Sequence, residues 1–138
     1  MKYDAVVFGL FETGLGVIRS LGKKGLRIKG VDFKSNIGKI SKYARSSKCP
    51  HPLQKEREFI DWVRSNFSVD QRLPLFITQD DFLEVFSRNR KTMDEYFVFN
   101  MIGHSLLESI TDKYQQSLLA HEAGIAAPST WQVNMPSD

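Results

Sequence analysis

The stretch VVFGLFETGLGVIRSLGKKG, residues 6 to 25, constrains the chain more than any other. A strand-length apolar run, Tyr3 to Phe8, enters a loop holding Gly9 and Gly14. The loop passes into a helical pattern, Thr13 to Lys24, with Leu15, Ile18 and Leu21 on one stripe. Gly25 follows, where helices commonly end in a left-handed residue. The alternation then repeats. Arg27 to Asp32 reads as a second strand, Phe33 to Tyr43 as a loop or short helical turn, and Arg45 to Lys48 as a short third strand. Gln54 to Phe67 places Phe59, Ile60, Trp62, Val63 and Phe67 at helical spacing, and Leu73 to Thr78 is strand-like again. Thr78 or Asp80 is positioned to cap the next helix, which carries Phe82, Leu83 and Phe86. Strands that alternate with helices need crossover connections. The expected fold class is therefore α/β, an open, mainly parallel, Rossmann-like sheet with helices on both faces.

Past that core the pattern is sparser. YFVFN offers one more strand, and Ser105 to Ile110 a helical turn. Asp112 begins a cleaner helix: it stands three residues before Gln115, the spacing of a capping box, and Tyr114, Leu118 and Leu119 form an apolar stripe before Gly124. GIAAPSTW reads as a loop leading into another strand.

The 138 residues suit one compact domain, and a single cysteine, Cys49, rules out an internal disulfide framework. With no signal-peptide core and no apolar run of about eighteen residues, neither export nor a membrane span is expected. The expected location is cytoplasmic. Arg19 to Lys48 holds ten Lys and Arg against one acid, Asp32. That bias is either a field for an anionic ligand or the solvated face of one βα unit. Nucleic acid is not expected, because only Phe33 and Tyr43 interleave the charges and no binding motif accompanies them.

The glycine loop fits neither familiar cofactor pattern. A dinucleotide fingerprint requires GxGxxG, but Leu10 and Phe11 follow Gly9. A phosphate loop requires lysine and a hydroxyl residue after its second glycine, but Leu15 and Gly16 follow Gly14. A strand end and a helix N-terminus remain, suited to a carboxylate or phosphate. Glu12 and Thr13 either grip an ammonium or hydroxyl of a small substrate or merely cap the helix. Asp32 stands about twenty residues on, where a ribose-binding acid sits in dinucleotide folds, which keeps an NAD(P)-binding oxidoreductase domain as the alternative. Cys49 and His51 lack further ligands for zinc, and Cys49 reads as inert.

The phrases GLGVIRSLGKKGLRIKGVD, SKYARSSKCPHP, LPLFITQDDFLEVFSRNRKTMDEYF and ITDKYQQSLLAHEAGIAAPSTW, in that order, resemble the amino-terminal part of ATP-grasp carboxylate-amine ligases, in the branch that includes carbamoyl-phosphate-synthase-like and amino-acid ligase proteins. The resemblance implies a preATP-grasp domain over residues 1–110, with 111–138 as a helix and linker into an ATP-grasp domain. It implies a reaction that joins a small-molecule carboxylate to an amine (or a thiol) through an acylphosphate. ATP and Mg2+ would be held mainly by the following domains, so this chain alone is expected to be inactive. Gly9, Glu12, Thr13 and Gly14 match the family's substrate-facing first loop, and Lys113 matches a lysine that reaches nucleotide phosphates in some relatives. Asp80, at the carboxyl end of the fourth strand, either touches substrate or caps its helix. A third functional class is a non-catalytic interaction domain. In it the Asp112 to Ala123 helix docks on a partner, or its stripe drives a homodimer.

Overall fold

In the computed structural model, which describes residues 2–133, five strands form one sheet in the order β3-β2-β1-β4-β5, and every pairing is parallel. The strands are β1 (Ala5–Phe8), β2 (Ile28–Asp32), β3 (Ala44–Lys48), β4 (Leu73–Ile77) and β5 (Phe97–Val98). The chain separates into two compact units, divided between Met101 and Ile102. No helix among the described residues is long and apolar enough to cross a membrane.

The sheet is covered on both faces, as the alternation requires. β1 is buried throughout, and its successive residues point to opposite sides. Ala5 and Val7 join Leu10, Ile28 and Ile18, the last from α1 (Glu12–Gly22). Val6 and Phe8 join the larger core, built from α2 (Glu56–Asn66) and α3 (Asp80–Arg88). Phe8 lies at its centre, with the rings of Phe59, Phe82, Phe86 and Phe97 at 6.0, 5.3, 5.1 and 5.8 Å between centroids. These edge-on contacts add to the roughly 1.5–3 kcal/mol that burial of a phenylalanine contributes. Lys29 projects into the same side. Its Nζ lies 4.2 Å from the Phe67 ring centroid and donates to Asn66 O at 3.2 Å, and burial lowers its pKa.

Two of the expected helix ends close through glycine. Gly25 and Gly124 have φ of 83° and 69°, conformations that a side chain would strain. Around Gly124, the N–H groups of Gly124 and Ile125 donate to His121 O and Ala120 O at 3.0 and 2.8 Å, the paired bonds of a Schellman end. Asp112 caps α6 (Lys113–Glu122) as its spacing predicts, accepting from Gln115 N–H at 2.8 Å. A 3-10 turn, Ile37–Ile40, occupies the segment expected to be loop or short helix. A short α4 (Arg90–Met93) follows α3, and α5 (His104–Thr111) precedes α6. None of α6 is buried, and Leu118 on its stripe is exposed. Residues 125–133 hold neither helix nor strand, and the rest of the strand expected after them lies outside the described residues.

Candidate functional site at the carboxyl ends of β1 and β4

The strand order reverses direction at β1. From there the chain steps outward to β2 and β3, then returns to place β4 on the other side of β1. Consequently α1 and α3 leave neighbouring strands toward opposite faces, and a crevice opens between their N-termini. It is a cleft of about 350 Å3, lined by Phe11, Thr13, Lys34, Asn36, Thr78, Gln79 and Asp80.

The floor of the crevice depends on two close backbone approaches. Gly9 has φ of 89°, and a Cβ there would lie 2.9 Å from both Gln79 Cβ and Thr78 Oγ1. A Cβ on Gly14 would lie 2.0 Å from Gly9 O. Neither position tolerates a side chain without movement of the loop. Thr78 locks this arrangement: its N–H donates to Phe8 O at 3.0 Å and its hydroxyl to Gly9 O at 2.8 Å.

That bond corrects one sequence expectation. Thr78 does not cap α3, and neither does Asp80, which is the first residue of the helix rather than the residue before it. The N-cap position belongs to Gln79, which makes no side-chain capping bond. The hydroxyl is instead drawn across the sheet to a carbonyl that the left-handed turn at Gly9 leaves without a strand partner. Phe11 likewise begins α1 without a side-chain cap, so Glu12 and Thr13 do not serve as its N-cap. Two helix starts thus present uncapped N–H groups beside the cleft.

The wall on the β2 side is organised by Asp32. It is 1% exposed, and its carboxylate accepts from Leu10 N–H at 2.7 Å, Asn36 Nδ2 at 2.7 Å and Lys34 N–H at 2.9 Å. These bonds fasten the loop after β1 to the loop after β2 and set Lys34 and Asn36 in the cleft. Buried and turned inward, this carboxylate presents no face to a ribose, which removes the observation that favoured a dinucleotide.

Of the residues singled out from sequence, Thr13 and Asp80 line the cleft. Gly9 and Gly14 lie beneath it as close-packing positions. Glu12 is an exposed first-turn residue of α1 and does not line it. Lys113 belongs to the second unit, exposed at the start of α6 with its Nζ 3.4 Å from Gln116 Oε1. Sequence reasoning missed Lys34, Asn36 and Gln79. A usable signal existed for the first two, since they follow the carboxyl end of β2, on the edge where such sheets bind ligands. Gln79 Oε1 is buried without a protein donor among the described residues.

Cys49 lies beyond β3 with its N–H donating to Asp32 O at 3.1 Å. Burial, and after it the charge of Asp32, pushes its thiol up to about 12, so it is no nucleophile at neutral pH. His51 stacks on Phe33 with 4.2 Å between centroids, and its Nε2 is 3.9 Å from Asp81. Among the described residues no three His, Cys, Asp or Glu side chains converge in a way that holds a metal ion.

The fold is similar to that of a segment of an L-amino acid ligase. The matching structure, from Bacillus licheniformis, has a TM-score of 0.64 and 12% sequence identity over 99% of this chain and 36% of the ligase chain. This chain therefore spans about a third of the length of that protein. No family model and no curated protein matches the sequence.

Proposed function

We propose that the chain is the substrate-side amino-terminal domain of an ATP-dependent carboxylate-amine (or carboxylate-thiol) ligase, inactive on its own. The observation that carries this reading is the cleft at the β1/β4 switch point. One cation (Lys34), one carboxylate (Asp80), a hydroxyl (Thr13) and two carboxamides (Asn36 and Gln79) line its wall, between two uncapped helix starts. A small molecule carrying both an acid and an amine matches that set. Its carboxylate suits Lys34 and the helix N–H groups, and its ammonium suits Asp80. The fold shared with an L-amino acid ligase and the order of sequence phrases support the same class of substrate.

The cleft does not suit a magnesium nucleotide by itself. Asp80 is the only carboxylate in its wall among the described residues, and the glycine loop is closed by Thr78 and Gln79 where a pyrophosphate would need open backbone. ATP and Mg2+ are assigned to the domains that would follow, and the role of this chain is to bind and orient the acid or amine. A titration of the 15N-labelled chain with a panel of free L-amino acids, and separately with NADH, tests the proposal. Expected are saturable amide shifts at Thr13, Lys34, Asn36 and Asp80 with one or more amino acids at millimolar concentration, abolished by Asp80→Asn. Shifts confined to NADH, or none with any amino acid, would overturn it.

A further inference from the structure

A second concavity, which shares no lining residue with the cleft, lies between α1 and the 3-10 turn. It is a groove of about 420 Å3. Its floor is Leu15, and its wall is Ile37 and Ile40, which stand 54% and 86% exposed. Isolated apolar side chains on a surface need no explanation. These two differ in their electrostatic surroundings. Arg19, Ser41, Lys42 and Tyr43 complete the lining, with Lys39 beside Ile40 in the chain. None of these three cations forms an ion pair among the described residues; Lys39 Nζ lies 3.4 Å from Ser35 Oγ and Lys42 Nζ 5.2 Å from the Tyr43 ring centroid, contacts that leave their charge unneutralised. The one acid of the Arg19 to Lys48 segment, Asp32, is buried and spent on the protein's own donors, so it neutralises nothing at this surface.

We propose that this groove docks an acidic polypeptide segment of another protein. Its aliphatic or aromatic anchors would enter against Leu15, Ile37 and Ile40, and its carboxylates would meet Arg19, Lys39 and Lys42. A partner of that composition gains apolar burial and charge complementarity at once, the second of which also speeds encounter. A second copy of the chain is a poor occupant, because a two-fold contact through this patch sets cations against cations. An anionic bilayer is also a poor one. Interfacial anchoring draws on the apolar face of an amphipathic helix, and a four-residue turn with two isoleucines offers little of that.

Fluorescence anisotropy of the full chain tests this, with a fluorescein-labelled amphipathic peptide of leucine and phenylalanine on one face and glutamate on the other. Its counterpart with lysine for glutamate serves as control. The glutamate peptide is expected to bind, more weakly as salt is raised, and the lysine peptide is not. Ile40→Asp and Lys42→Glu are each expected to weaken binding at least about tenfold. Both side chains are exposed, and circular dichroism establishes that the variants fold. Equal binding of the two peptides, no binding of either, or binding that neither substitution changes overturns the proposal. So does Ile40-dependent sedimentation with phosphatidylserine vesicles in the absence of peptide binding, which would give the surface to a membrane. Amide shifts in the β1/β4 cleft are expected to be the same in Ile40→Asp as in the unaltered chain, so the two proposals fail separately.

Discussion

Glycine to alanine at two positions of α1, one turn face apart, is expected to move stability in opposite directions. Gly16 lies on the exposed side, and a Cβ there meets nothing within 4 Å. Helix propensity alone acts on it, and Gly16→Ala should stabilise by about 0.5–1 kcal/mol. Gly14 gains the same propensity, but its new Cβ would lie 2.0 Å from Gly9 O, a backbone atom that cannot swing aside. Relief requires about 1 Å or more of separation between α1 and the loop after β1. Such overpacking costs roughly 1–3 kcal/mol. The movement also loosens the 2.8 Å bond from Thr78 Oγ1 to Gly9 O, for about 1 kcal/mol more. Set against the gain from propensity, Gly14→Ala should destabilise by about 2 kcal/mol, leaving the two variants about 3 kcal/mol apart. Urea unfolding measures this, read by Trp62 fluorescence in a Trp131→Phe background so that only the first unit reports. With a denaturant slope of about 1–3 kcal/mol per molar, the midpoints should differ by about 1–3 M. Equal midpoints for the two variants would show that the closed glycine loop does not exist in solution.

Two further outcomes follow from the same region. Asp32→Ala should cost about 2–4 kcal/mol in urea unfolding, because it strands the Leu10 N–H and releases Asn36. Asp32→Asn should cost less, since one oxygen still accepts; equal costs would refute this account. Cys49 should react with a thiol reagent at pH 8 much more slowly in the native chain than in urea, and equal rates would contradict its burial. Because the folded chain keeps a thiol proton up to about 12 that the unfolded chain releases near 9.0, stability should fall as pH rises through that window. The slope should approach about 1.4 kcal/mol per pH unit, and Cys49→Ala should reduce it.

The sequence by itself determined what depends on neighbours along the chain. Apolar runs and helical stripes set the succession of strands and helices and so implied a parallel sheet, which the five-stranded order bears out. Asp112 was legible as a cap because its partner is three residues away, and Gly25 and Gly124 because a helix end marks its own left-handed residue. Tertiary structure alone decided the rest. Thr78 carried the local signature of a cap, yet its hydroxyl reaches a carbonyl 69 residues distant. Asp32 looked like a ribose ligand, but burial turned all its bonds toward Leu10, Lys34 and Asn36. Gly9 and Gly14, which suggested a ligand loop, are also places of close packing, Gly9 against the Thr78 and Gln79 side chains and Gly14 against the carbonyl of Gly9. A polar group's role depends on which donors and acceptors lie nearby once water has been expelled. Strand order fixes those neighbours, and no local pattern records strand order.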